Sequence, residues 1–239
     1  MPGKGIAIIT GASKGIGACV AQGLAADGYK TILIARNAER LERITHELSQ
    51  NVPAELKPEY IAMDITDHKK VSESLRELQL KYTPISILVN SAGMWLDGTL
   101  DETEENFQKL LDVNLISPFV FLREIAQAMK KNRHGHIFNI SSRAGIYGFA
   151  GGGLYSASKF GLSGLSDSLY REMAEVGVKV TSLCPGWVNT QMAVEAKTPW
   201  KEHEMIQPED ILNSIRYILN LSGSACVREI VLECTKSVL

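Results

Sequence analysis

The sequence is poor in what metal centres, disulfide frameworks and membrane spans are built from. Its four cysteines, Cys19, Cys184, Cys226 and Cys234, are scattered, with no Cys-x-x-Cys pair and no histidines at ligand spacing. No metal site and no disulfide scaffold is therefore expected, and free thiols suit a reducing cytoplasm. Neither sign of charge is in excess: 25 Lys and Arg stand against 27 Asp and Glu, a net charge of −2. That removes the electrostatic case for a nucleic-acid or anionic-membrane partner. Met1 to Gly5 leads straight into the apolar run Ile6-Ala7-Ile8-Ile9, far too short for a secretory leader core or a membrane span. Repeats, low-complexity stretches and linkers are also missing, so residues 1–239 are read as one cytoplasmic domain.

What is present is a rhythm. Short β-branched runs (6–10, 31–35, 60–63, 85–90, 136–140, 179–184 and 229–232) alternate with helical-period segments (16–27, 38–48, 69–80, 102–131, 155–175 and 209–221). Such alternation predicts an α/β, Rossmann-type doubly wound parallel sheet of about seven strands with helices on both faces. The run Ile85-Ser86-Ile87-Leu88-Val89 is largely apolar, as expected of a strand covered on both faces. Asp101 with Glu104 resembles a capping box opening the fourth helical segment, and Pro208 with Glu209 and Asp210 suits a helix start.

The first strand ends in Thr10-Gly11-Ala12-Ser13-Lys14-Gly15-Ile16-Gly17, and a helix follows. Glycines there let the backbone turn tightly and approach a phosphate, while the helix N-terminus supplies N–H donors and a favourable dipole. A tight βα turn using glycine for geometry alone is the bland alternative; the position after the first strand favours a dinucleotide. The pattern Gly11-x-x-x-Gly15-x-Gly17 resembles the loop of the short-chain dehydrogenases/reductases. Asn90-Ser91-Ala92-Gly93, Asn114, Ser142, Tyr155-x-x-x-Lys159 and Pro185-Gly186 follow in the order that family shows. Together they span about the first four-fifths of the chain, a far more specific signal than any one motif.

NADP(H) is the expected cofactor. NAD-binding folds usually place an acid about 20 residues past the glycine loop to hold the ribose 2′-hydroxyl. Here that position is Ala35, followed by Arg36 and Asn37, with Arg40 and Lys14 as further cations; a carboxylate would repel a 2′-phosphate, whereas guanidinium groups bind it. Ser13 and Ile16 share the loop. The resemblance implies that Asp64 and Ile65 flank the adenine and Asn90, Ser91, Ala92 and Gly93 the adjacent ribose. It also implies that Pro185, Gly186, Val188 and Thr190 border the nicotinamide.

Tyr155 and Lys159 lie four residues apart, one turn along a single helix face. Carbonyl reduction needs an acid that protonates the developing alkoxide, and a tyrosine near pKa 10 is too weak at pH 7. Lowering it by about three units takes roughly 4 kcal/mol, more than the roughly 1 kcal/mol an exposed ammonium offers in water. The pair is therefore expected in a partly dehydrated site beside the cofactor, whose own charge in the oxidised state helps to lower the Tyr155 pKa. The spacing alone is common on helices; Ser142, thirteen residues before Tyr155, matches the family's third group and would stabilise charge on the substrate oxygen. Asn114, by the same resemblance, holds a water linking Lys159 to solvent; alone it would read as a packing or kink residue in a helix.

Met94, Trp95, Arg143, Tyr147, Leu154, Trp187 and Met192 are the candidate substrate-pocket residues, by nearness to the motifs, with Arg143 placed to meet an acid group. Residues 191–206 should form a short lid over an open cleft. The expected partner is a small carbonyl or alcohol substrate, an acyl thioester among the choices, and the family implies a homodimer or homotetramer. The tail from Val227 and the residue Val176 depart from 3-oxoacyl-(acyl-carrier-protein) reductases, although Lys130, Lys131 and Arg133 would attract an acidic carrier. A dinucleotide-binding redox sensor or scaffold without turnover is the alternative class.

Overall fold

A computed structural model of the chain describes residues 3–50 and 52–238; Met1 and Pro2, on which the leader reading partly rests, lie outside them, as do Asn51 and Leu239. The strands are β1 (Ile6–Thr10), β2 (Lys30–Ala35), β3 (Glu59–Ala62), β4 (Ile85–Asn90), β5 (Gly135–Ile140), β6 (Val178–Pro185) and β7 (Glu229–Leu232). They form one seven-stranded sheet, all parallel, in the order β3-β2-β1-β4-β5-β6-β7. The helices are α1 (Gly15–Ala26), α2 (Ala38–Ser49), α3 (His68–Lys81), α4 (Glu104–Leu111), α5 (Ser117–Asn132), α6 (Gly153–Ala174), α7 (Gln191–Glu195) and α8 (Pro208–Leu219).

Strand alternation divides the core in two. Ile9, Leu33, Val89 and Phe138 point to the face covered by α1, α2 and α8, through Val20, Leu24, Leu41, Leu212 and Ile215. Ile8, Ile32, Leu88 and Ile137 point to the face covered by α3, α5 and α6, through Leu75, Phe121, Ile125 and Met173. The inner strand β4 is buried along its whole length, whereas the edge strands β3 and β7 are partly open. This is the pattern of a parallel sheet covered on both faces.

Strand order reverses between β1 and β4. In open α/β sheets the crevice beyond the carboxyl ends of such neighbours is where ligands bind. Thr10 holds the two ends together: its hydroxyl accepts from the backbone N–H groups of Ser91 and Ala92, both at 3.0 Å.

Two local expectations change. The segment 102–131 is not one helix: α4 and α5 are separated by a π turn, Asp112–Ile116, that contains Asn114. Thr103, not Asp101, caps α4, its hydroxyl accepting from Asn106 N–H. Asp101 lies two residues too early to reach the first turn. The α8 start is as expected, with Pro208 in the first turn and Gln207 and Asp210 closing a reciprocal cap.

His136 is the buried titratable group away from the crevice. It lies on β5, stacked on Phe138 at 4.1 Å, and Nε2 stands 3.0 Å from the Thr181 hydroxyl. That hydroxyl donates to Val227 O, so it accepts from the imidazole, which is neutral with its proton on Nε2. Burial, assisted by the Lys179 charge, pushes the His136 pKa down to about 3. A depressed pKa means the unfolded chain binds a proton that the folded one does not, between about pH 6.5 and about 3. Stability is full above that window and falls as pH drops through it. At pH 4.5 the loss should be about 2 to 3 kcal/mol. Urea midpoints at pH 7.5 and 4.5 should show it, and His136→Gln should lose much less over the same interval; an equal loss in both proteins refutes the assignment.

Candidate active site

The loop after β1 is shaped by its glycines. Gly11 and Gly15 have φ of +66° and +55°, a region open to glycine at little cost. A Cβ on Gly17 would stand 2.5 Å from Gly11 O, and one on Gly11 would stand 2.9 Å from Ala92. The first turn of α1 is thereby pressed onto the loop and the loop onto the end of β4. The N-cap Lys14 makes no side-chain cap, which leaves N–H donors of the first turn facing the crevice.

A cleft of about 340 Å³ opens there, lined by Gly11, Ser13, Lys14, Gly15, Ile16, Gly17, Arg36, Asn37, Arg40, Asp64, Ile65, Ser91, Ala92, Gly93 and Thr190. The glycine cradle, the free helix N-terminus and the cations beyond β2 fit a dinucleotide. Ala35 lines the cleft where an acid would otherwise stand. Asn37 caps α2, accepting from Arg40 N–H at 2.8 Å. Asp64 is fixed by Thr66, whose N–H and hydroxyl it accepts at 3.0 and 2.8 Å; these bonds hold its pKa below the usual carboxylate value against burial. Lys14 stands 3.9 Å from Glu195 on α7, both exposed, a pairing worth little in water.

Asn90 is a correction. It does not line the cleft but lies buried under it, donating to Asn139 Oδ1 at 2.8 Å, with Asn139 donating onward to Ser166. A side chain at the last strand residue points into the sheet face, one step before the crevice.

Next to the cleft is a second cavity of about 360 Å³, lined by Ser142, Arg143, Tyr155, Lys159, Trp95, Phe149, Pro185, Gly186, Trp187, Val188, Met192, Ala193, Ala196 and Pro199. Ile16, Ser91, Gly93, Thr190 and Met192 line both, so the two spaces share a wall at the loop ends. Tyr155 and Lys159 project from the first turns of α6. Ser142 caps the short turn after β5, accepting from Ala144 N–H at 3.1 Å. The neighbouring Ser141 turns its hydroxyl to Ser163 at 2.8 Å instead. The spacing argument therefore selected the serine whose hydroxyl is not taken up by α6.

Burial governs the electrostatics of the pair. Burial pushes Tyr155 up to about 12, only partly offset by a hydrogen bond with Ser142, and pushes Lys159 down to about 8. Lys159 Nζ lies 5.8 Å from the Tyr155 ring centre and donates to Ile140 O at 3.0 Å. An ammonium at that distance is worth about 3 kcal/mol to a phenolate at an effective dielectric of 20. Burial thus disfavours the charged form of both groups.

Asn114 is fully buried. Its Oδ1 accepts from Met94 N–H at 2.8 Å, and Nδ2 donates to Met94 O at 3.0 Å and to Ser158 Oγ at 3.1 Å. The side chain thus clamps the backbone just past Gly93, and its position in the π turn explains why a poor helix former is tolerated mid-segment. A Cβ on Gly93 would lie 3.5 Å from Asn114 Oδ1 and 3.7 Å from Lys159 Nζ, which puts all three at one point.

Among the candidate pocket residues, Trp95, Arg143, Trp187 and Met192 line the second cavity. Met94 lines the cofactor cleft instead. Tyr147 is exposed and points to Glu233, and Leu154 packs in a small core with Leu110 and Tyr155. Phe149, Ala193, Ala196 and Pro199 also line the second cavity; the first was passed over between Ser142 and Tyr155, and the other three fall in the segment expected to form the lid without having been singled out. Arg143 is already paired with Glu233 at 2.9 Å, ninety residues away and invisible to spacing. The segment expected to form the lid, residues 191–206, is only partly helical, and a bridge between Val188 and Ile206 pins its base. Lys130, Lys131 and Arg133 lie at the opposite end of the sheet: they precede β5, whose far end carries Ser142, about 20 Å away at strand rise.

Among the described residues, no group of three or more potential ligands is placed to hold a metal, and no helix is long and apolar enough to cross a membrane. Residues 5–200 match the family described as short chain dehydrogenase. An uncharacterized oxidoreductase of Staphylococcus saprophyticus is 33% identical over 226 residues, 94% of this chain and 95% of that one. A crystal structure of a betaketoacyl-ACP reductase from Bacteroides thetaiotaomicron is similar at 47% identity and a TM-score of 0.88, covering 99% of both chains. An alcohol dehydrogenase from Thermococcus sibiricus, complexed with 5-hydroxy-NADP, is 29% identical with a TM-score of 0.87, covering 97% of both.

Proposed function

Because the chain belongs to the short-chain dehydrogenase family, we propose that it is an NADPH-dependent carbonyl reductase, converting a ketone or aldehyde reversibly to an alcohol. The observation that carries this reading is the convergence of Tyr155, Ser142 and Lys159 on one apolar cavity that shares a wall with the glycine-rich cleft. A reduced nicotinamide held in that cleft would supply the hydride.

The chain's own residues do the rest. Ser142 donates to the substrate oxygen and stabilises the charge that gathers there. Tyr155 gives its proton to that oxygen, and Lys159 and Asn114 hold the helix and loop that aim it. Trp95, 4.6 Å from the Tyr155 ring, and Trp187, 6.2 Å from Trp95, keep the oxygen's surroundings dry. NADPH over NADH follows from Ala35 in place of an acid and from Arg36, Arg40 and Lys14 around the same end of the cleft. A relative solved with an NADP derivative supports this choice.

Reduction of a 3-oxoacyl thioester is the narrower reading favoured by the 47% identity to a betaketoacyl-ACP reductase. The basic residues before β5 lie at the opposite end of the sheet from the cavity, so this reading does not rest on them. The same reading takes the protein as cytoplasmic and as a homodimer or homotetramer.

NADPH consumption with diketones, quinones, β-keto esters and acetoacetyl thioesters tests the proposal. At least one class should be reduced, and NADPH should be used in preference to NADH. Tight NADPH binding with no turnover across the panel would instead make the protein a redox sensor or scaffold.

A further inference from the structure

We propose that Glu233 sets the charge preference of the substrate cavity, and that by neutralising Arg143 it makes the site select uncharged carbonyl compounds over those carrying a carboxylate. This rests on the carbonyl-reductase reading above and names the substrate class of the same site.

The cavity wall is otherwise apolar, formed by Trp95, Phe149, Trp187, Met192 and Pro199. Apart from the buried Lys159, its charged lining residue is Arg143, one position after Ser142 and so close to where the reacting oxygen must sit. A free guanidinium there would hold a substrate carboxylate in bidentate fashion. It is not free. Arg143 Nη1 donates to Glu233 Oε2 at 2.9 Å, and the Tyr147 hydroxyl donates to Glu233 Oε1 at 2.8 Å. Both carboxylate oxygens are engaged, and the two charged side chains are each only about a quarter exposed, at 24% and 25%. Little solvent screening remains to weaken the pair.

The backbone is arranged around this carboxylate. Glu233 follows β7 directly, and Gly186 N–H donates to Leu232 O at 2.8 Å. A Cβ on Gly186 would lie 3.3 Å from Glu233 Oε2, so the glycine after β6 leaves the carboxylate room. Cys234 is buried, its thiol 3.3 Å from Trp187 O, which fixes the tail on both sides of Glu233. A substrate anion would have to displace an intramolecular one already held by two donors.

Binding can be read without turnover, since Trp95 and Trp187 line the cavity. Titration of the full-length chain with benzoate and with benzamide, followed by tryptophan fluorescence, gives the anion-to-neutral affinity ratio. Glu233→Gln keeps the shape and the acceptor but removes the charge, and should raise that ratio about tenfold, the value of one hydrogen bond to a charged group. The double variant, Glu233→Gln with Arg143→Gln, should return the ratio to within twofold of the parent, because both charges of the pair are then gone. The proposal is overturned if Glu233→Gln leaves the ratio unchanged, or if the double variant keeps the full tenfold rise. Failure of every carbonyl substrate, with the charge effect intact, would overturn the catalytic reading and not the role of Glu233.

Discussion

Tyr155→Phe should lower kcat for carbonyl reduction by about a thousandfold, within the 10²–10⁴ range that a positioned proton donor contributes. The substitution removes one atom group and little else. Phenylalanine keeps the ring against Trp95 at 4.6 Å and the contacts with Leu110 and Leu154. The lost hydroxyl is buried, and its loss leaves Ser142 with the Ala144 N–H and the Pro185 carbonyl. NADPH affinity, measured by fluorescence titration, should stay within about threefold, because the cleft residues are untouched. A variant with near-parental kcat would mean that another group gives the proton. Lys159, buried and donating to Ile140 O, is the group to test next.

Ala35→Asp should reverse the cofactor preference. Ala35 is buried at the end of β2 and lines the cleft beside Arg36 and Arg40. A carboxylate there meets a 2′-phosphate at close range, and two like charges 4 Å apart at an effective dielectric of 20 repel by about 4 kcal/mol. Screening and side-chain relaxation reduce that figure, so a loss of about 100-fold in kcat/KM for NADPH is expected, equivalent to about 2.7 kcal/mol. With NADH the same carboxylate can accept from the 2′-hydroxyl, and kcat/KM should rise. Steady-state kinetics with both nucleotides decides the matter. Unchanged discrimination would place the 2′ position elsewhere than beside Ala35.

The architecture was legible because its signals are local. Seven apolar runs and the helical periods between them placed every strand to within two residues, since β-branched runs and glycine punctuation act over a few positions. The glycine loop, Ser142 and the Tyr155–Lys159 pair were legible for the same reason: each owes its place to a strand end or a helix turn. What stayed hidden depends on contacts between distant segments. The π turn at Asp112–Ile116 leaves the apolar period nearly intact and merges α4 with α5 in a sequence reading. Asn90 looked like a cleft residue because it opens a motif, yet its amide turns inward to Asn139. Arg143 looked available, and its partner is Glu233 in a tail that carries no motif. How far burial shifts Tyr155 and Lys159 depends on the segments packed around them, and no residue spacing reports it.

The Thr10 strap has a consequence for what can be separated from this protein. One hydroxyl ties the two loops of the cofactor cleft across 81 and 82 positions of sequence. Ser142 comes from a third loop and the tyrosine from a fourth segment. No excised peptide, however faithful to the glycine pattern, carries the cleft with it. The site is a property of the assembled sheet, so transplanting its motif into another scaffold transfers the letters without the chemistry.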